Sequence, residues 1–195
     1  MIRYSLDTNV FITAWNEYYH YEVCMGCWDC LHILAKNDVI FCSEIVRDEI
    51  AKKDDSLNRW LKGVESDMVK SSESETIQNS IIEILKEYPE VGEKKWASEA
   101  DVWVLAHAIE AKATVVTKEM PVDEMNSKRK KLPNLCNEKN IRWIDDFTFI
   151  REVGIRFSAK LNDKKNISTF MDQDEKGNQY VHVEQDQTKL FDDEL

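Results

Sequence analysis

The chain has 195 residues, 43% of them hydrophobic and 32% charged, with five Gly and three Pro, a composition that suits one globular domain with a sizeable core and an appendage. No apolar run is long enough to span a bilayer, and Arg3 interrupts the first hydrophobic residues, which argues against a signal peptide and makes the cytoplasm the expected location. The net charge of −11 argues against nucleic-acid binding by bulk electrostatics but not against a nuclease, whose cation-binding site must itself be acidic.

Taken in chain order, a short apolar strand at about 2–7 leads into a helix reaching about 17, and a second helix covers about 23–36. In that second helix Val23, Cys24, Cys27, Trp28, Leu31 and Leu34 form an apolar stripe. Cys24, Cys27 and Cys30 therefore read as core packing in preference to a zinc site, for which a second ligand cluster is missing. The odd total of five cysteines fits reduced thiols. Val39–Cys42 reads as a buried strand followed by a helix begun at Ser43. Residues 55–63 and 75–88 read as amphipathic helices separated by a Ser/Glu-rich loop. A helix from about 98 to 112 leads into the strand Thr114–Thr117. Ile141–Ile144 is a further strand, and Asp145–Val153 a closing helix ended by Gly154.

Short, continuously apolar strands alternating with helices predict an α/β fold with a parallel sheet covered on both faces. In such sheets ligands bind beyond the carboxyl ends of the strands. Residues 158–195 differ: five Lys/Arg stand against nine Asp/Glu there. They read as an acidic extension, either partner-dependent or partly disordered. Within it Ile167–Met171 and Gln179–Val183 flank a turn-like Asp174–Asn178 that would make a hairpin. The expected division is a domain over 1–157 and an extension over 158–195.

Four carboxylates give separate signals at strand ends and helix starts that are stronger together than any one alone. Asp7, in Leu6-Asp7-Thr8-Asn9-Val10, lies where the first strand ends; the Asp-Thr-Asn triplet reads equally as a helix cap. Glu49 follows Ile45 by four residues and Val46 by three, so it points with the buried stripe of its helix. Asp101 precedes Val104 and Leu105 by three and four, although Ser98 with Asp101 also resembles a capping box. His107 falls off that stripe and is expected to be exposed or half-exposed. Glu119 lies two residues after Thr117, at a strand exit. A cluster of three or four carboxylates is what hard divalent cations require.

Together these segments resemble the PIN-domain nucleases, the superfamily that includes the VapC-type toxin ribonucleases. The resemblance rests on Leu6-Asp7-Thr8-Asn9-Val10-Phe11-Ile12, on Ser43 with Glu49-Ile50, on Asp101-Val-Trp-Val-Leu-Ala-His-Ala and on Thr117-Lys-Glu119. Trp15–Leu31 and Lys131-Leu-Pro-Asn-Leu-Cys136 further resemble an uncharacterised bacterial branch. The match covers roughly residues 1–157 and implies a three-layer α/β/α sandwich with a central, mostly parallel sheet. It implies Mg²⁺ or Mn²⁺ as cofactor, bound by the catalytic acids Asp7, Glu49, Asp101 and Glu119. At Glu119 the superfamily more often has Asp, and the longer arm would hold a second cation, or a water, more loosely. Asn9 and Thr117 match positions that orient the acids or the scissile phosphate. A HAD-type phosphatase would need a second Asp where Asn9 stands.

The resemblance also implies metal-assisted hydrolysis of RNA, single-stranded or looped, by an endoribonuclease acting as the toxin of a toxin–antitoxin pair. A cognate antitoxin protein and a homodimer are the partners it brings with it; no membrane is involved. Lys128, Arg129, Lys130 and Lys131 are the candidate phosphate contacts, with a solvated loop as the equal alternative. The acidic extension would shield that basic run. Two other readings stay open: a housekeeping RNA-processing nuclease without an antitoxin, and a catalytically silent PIN-like module that binds RNA or a protein. Trp28, Trp60 and Trp96 suit core and interface equally.

Overall fold

A computed structural model describes residues 2–92, 97–123 and 130–157. The chain divides into two units, Met1–Arg156 and Phe157–Leu195, and every element below belongs to the first. The expected acidic hairpin, Lys128, Arg129 and Trp96 lie outside the described residues.

Among the described residues five short strands form the sheet: β1 (Tyr4–Leu6), β2 (Ile40–Ser43), β3 (Val69–Lys70), β4 (Thr114–Val116) and β5 (Trp143–Ile144). Their order is β3-β2-β1-β4-β5, and every pairing is parallel. β1, β2 and β4 are buried along their whole length, as strands covered on both faces must be. The helices are α1 (Thr8–Thr13), α2 (Met25–Lys36), α3 (Glu44–Ala51), α4 (Ser56–Met68), α5 (Glu75–Glu87), α6 (Glu99–Ala111), α7 (Leu132–Glu138) and α8 (Asp146–Glu152).

The alternation of side chains along β1 assigns the layers. Ser5 faces α6, with its hydroxyl 3.3 Å from the Val104 carbonyl. Tyr4 points the other way, edge-on to Phe149 of α8 at 5.2 Å between ring centroids. Leu6, on that same face, shares a small apolar cavity with Phe149 and with Trp28 of α2. This is the three-layer α/β/α sandwich that the resemblance implies. Among the described residues no helix is long and apolar enough to cross a membrane.

Several local expectations are corrected. The first helix stops being α-helical at Thr13 and continues as a π-helical turn, Ala14–Tyr18. The second begins at Met25, so Val23 lies outside it and is exposed, Cys24 and Leu34 are only half-buried, and Ala35 replaces Leu34 on the buried face with Cys27, Trp28 and Leu31. β3 and α7 were not foreseen. Val69–Lys70 is too short to carry a period. α7 starts with Pro133 in its first turn, which a helix tolerates because that turn needs no N–H partner. His107 is buried, not exposed, and its Nε2 lies 2.9 Å from the Ser72 hydroxyl. α6 is enclosed by the sheet, α3, α5 and α7, so it has no solvent face at that point. Burial of the imidazole pushes its pKa down.

Trp28 is fully buried, whereas Trp60 is half-buried beside it. The Trp28 indole N–H donates to the Tyr19 carbonyl at 2.6 Å, and its ring packs edge-on against Trp15 and Trp60 at 4.5 and 4.8 Å. Replacing it empties the centre of one layer. Trp28→Ala is expected to lower the unfolding free energy by about 3–5 kcal/mol, the usual cost of truncating a buried aromatic, read as a fall in urea midpoint at an unchanged slope.

Candidate metal-binding acidic site

The central strands end side by side. Register pairs Tyr4, Ser5 and Leu6 with Thr114, Val115 and Val116, so one step further Asp7 stands next to Thr117. The Asp7 amide still donates to the Val116 carbonyl and the Thr117 amide to that of Ile144, both at 3.0 Å. Backbone pairing thus fixes the two residues at the point where the ladder stops.

Asp7 holds the N-cap position of α1, yet its side chain makes no capping bond. Its Oδ2 instead accepts the Thr117 hydroxyl at 2.7 Å and the Asn9 side-chain amide. The cap alternative for this carboxylate is not realised. Thr117 Oγ1 also accepts from Asn9 Nδ2 at 3.2 Å and from the Glu119 amide at 3.1 Å, so the hydroxyl is saturated with one donation and two acceptances. Asn9 closes the circuit by accepting the Lys118 amide on Oδ1 at 2.8 Å. Asn9 and Thr117, expected as orienting residues, both contact Asp7 directly.

Glu49 reaches the same place from α3, whose start is capped by Ser43. It is half-buried, and its Oε2 accepts the Thr8 hydroxyl at 2.5 Å. Asp101 comes from the first turn of α6. Here the capping box is realised: Ser98 Oγ accepts the Asp101 amide at 3.2 Å, and Asp101 Oδ2 accepts the Ser98 amide at 2.6 Å. The box does not exclude the other role, because Asp101 also lines the acidic cavity. Glu119 leaves β4 and is held by Lys131, with Nζ 2.9 Å from Oε1, and by the Leu132 amide, 3.2 Å from Oε2.

These segments wall one cavity of about 260 Å³, lined by Asp7, Asn9, Glu49, Asp101, Glu119 and Lys131 among others. A larger cavity of about 490 Å³ shares Glu49 and Ser98 with it. Asp7 and Asp101 are 4% and 6% exposed, which is unusual for carboxylates. Burial pushes Asp7 up to about 6; the Thr117 hydroxyl opposes that shift and the Glu119 charge adds to it. Burial pushes Asp101 up to about 8, with the charges of Asp7 and Glu119 adding. Like charges held together out of water are what a cation relieves. The donor set, all carboxylate oxygen, matches a hard divalent ion. As the side chains stand, no three His, Cys, Asp or Glu among the described residues are arranged to hold one.

Two neighbours escaped the sequence. Thr8 was read only as part of a triplet, yet it fixes Glu49. Lys118 ties the Glu119 segment to α8: its ammonium is 2.9 Å from Asp146 Oδ1 and lies over the Tyr18 and Phe147 rings at 4.8 and 5.1 Å from their centroids. Only the polar bias of a strand exit hinted at it. The basic run splits within its described half. Lys130 pairs with Glu138 and sits over Tyr88, whereas Lys131 enters the acidic cavity.

Residues 4–157 match the family described as a domain of unknown function, DUF4411. The chain belongs to this family. No curated protein matches the DUF4411 chain. Among solved structures it is similar to VapBC2 from Rickettsia felis bound to a promoter DNA fragment, at 21% identity and a TM-score of 0.46. It is also similar to VapBC-1 from nontypeable Haemophilus influenzae, at 18% and 0.47, and to DNA-bound VapBC from Salmonella typhimurium, at 20% and 0.46. Each match covers 74% of the DUF4411 chain and 98% of the other.

The two raised carboxyls make stability depend on pH. Both bind protons more tightly folded than unfolded, so between about 4 and 8 the folded state carries more protons and loses stability as pH rises. Asp101→Asn keeps an oxygen for the Ser98 amide and removes the charge. Without added metal it is expected to raise the melting midpoint at pH 8 by at least about 2–4 °C, the shift that 1 kcal/mol brings in a chain of this size, and to flatten the decline between pH 6 and 8. Thermal melts across that range measure both.

Proposed function

We propose that this DUF4411 chain is a divalent-metal-dependent endoribonuclease of the PIN type, hydrolysing phosphodiester bonds in single-stranded or looped RNA. One observation carries the reading: Asp7, Glu49, Asp101 and Glu119, from four distant segments, wall a single cavity at the carboxyl edge of a parallel sheet. Two of these acids are buried against their own repulsion, a cost that functional sites tolerate.

Asp7, Glu49 and Asp101 are the residues that would hold Mg²⁺ or Mn²⁺. The ion, when bound, lowers the pKa of a coordinated water and offsets charge on the phosphate. The chain's own part is placement. Thr117 and Asn9 lock one oxygen of Asp7, the Ser98 amide locks one of Asp101, and Thr8 steadies Glu49. Lys131 is the described basic residue that reaches this cavity, and a phosphate entering it would meet that ammonium. The toxin role, with an antitoxin partner and a homodimer, follows from the resemblance to VapC-type toxins. A silent PIN-like module that binds RNA or protein is the second reading; it is favoured by the lack, among the described residues, of three acids already arranged around one ion.

Incubating the protein with an unstructured fluorogenic RNA and Mn²⁺ tests the first reading. Cleavage is expected, abolished by chelator, and reduced about 100-fold or more in Asp7→Asn, since the metal is worth several kcal/mol of transition-state stabilisation. Mn²⁺ should raise the melting midpoint of the wild type and not of the variant. No cleavage and no shift in the wild type favour the silent module. Growth arrest on expression, relieved by Asp7→Asn, separates a toxin from a housekeeping nuclease.

A further inference from the structure

We propose that Lys131 is a built-in cation of the acidic site, withdrawing Glu119 from metal binding and leaving a three-acid pocket for one divalent ion. The inference rests on the metal-site reading above and concerns how many ions that site takes. Its basis is the state of Glu119. Both oxygens are engaged, Oε1 by the Lys131 ammonium at 2.9 Å and Oε2 by the Leu132 amide at 3.2 Å. The Glu119 side chain is 23% exposed and that of Lys131 33%, so the pair sits partly out of water, where its attraction is less screened than on an open surface.

The lysine is placed by structure and not by chance of a long side chain. Asn134, 3% exposed, accepts the Lys131 amide on Oδ1 at 3.1 Å and the Val122 amide at 3.0 Å. It also donates from Nδ2 to the Val122 carbonyl at 3.0 Å. One buried amide thus clips together the segment that follows Glu119 and the segment that carries Lys131. Lys130, one residue earlier, goes to Glu138 and the Tyr88 ring instead. Only one of these two adjacent ammoniums has been brought to the acids.

Charge counting gives the consequence. Asp7, Glu49, Asp101 and Glu119 carry four negative charges at full ionisation, and Lys131 cancels one. The remaining three carboxylates are enough for one divalent ion, which keeps several waters besides its protein oxygens. A second ion would have to break the Glu119–Lys131 pair and then share the cavity with an ammonium. An ordinary surface salt bridge between the same residues would have no bearing on ion number, and this separates the proposal from a purely structural role.

Titration calorimetry with Mn²⁺, supported by counting bound ions after gel filtration, tests it on the full chain. Wild type is expected to bind one ion. Lys131→Met frees Glu119 and is expected to bind two, whereas Lys131→Arg keeps the cation and binds one. The double variant Glu119→Gln/Lys131→Met removes both charges of the pair and should still bind one ion; this variant keeps the test valid if Lys131→Met does not fold. One ion in wild type with one or none in a folded Lys131→Met, or loss of the ion in the double variant, overturns the proposal and leaves the metal site standing. Two ions in wild type do the same. No Mn²⁺ on any form overturns the metal-site reading and this inference with it.

Discussion

The carboxylate of Asp7 is buried beside the end of β4 and held there by a threonine hydroxyl and an asparagine amide. The rest of the site follows from that placement. A parallel sheet delivers strand ends, and the polar groups after them, to one edge. With Asp7 fixed, α1 departs with Thr8 and Asn9 in its first turn, Thr8 meets Glu49 of α3, and Asn9 meets the Lys118 amide after β4. This one strand-to-helix junction therefore carries one acid and touches two of the other segments that carry acids.

The same placement sets a tension between stability and chemistry. Carboxyls at 4% and 6% exposure resist ionisation, and their neighbours are other carboxyls. The fold offsets this with oriented dipoles: the Thr117 hydroxyl, the Asn9 amide and the Ser98 amide each donate to an acid. Such groups favour the charged form without adding a competing positive charge. Lys131 is the exception, and it stands against Glu119, one of the two longer acids.

Much of this was legible in the sequence because it rests on local rules. Continuous apolar runs gave β1, β2 and β4. Ser43 and Ser98 announced the starts of α3 and α6, and the phase of Glu49 and Asp101 against their helical stripes put both acids toward the inside. What stayed hidden depends on partners far along the chain. His107 reads as a surface residue until α5 and the Ser72 segment cover it. β3 exists because two residues happen to lie beside β2. The contact of Lys131 with Glu119 has no spacing signature, since the two stand twelve positions apart and Asn134 decides where the lysine goes. The cysteines of α2 gave a half-right stripe, because the helix began two residues later than the apolar pattern did.

The bond from Lys118 to Asp146 carries a mechanical implication. Asp146 is 2% exposed and its Oδ2 has no hydrogen-bond partner among the described residues, where one ammonium holds this carboxylate at Oδ1. That ammonium belongs to the residue between Thr117 and Glu119, and its own amide is bound by Asn9. Any fraying of α8 near its first turn would break that pair and, in the same event, unmoor the peptide that joins Thr117, the partner of Asp7, to Glu119 of the acidic wall. The closing helix, though it contributes no acid to that cavity, acts as a tether whose loosening would be transmitted to the sheet edge through a single side chain.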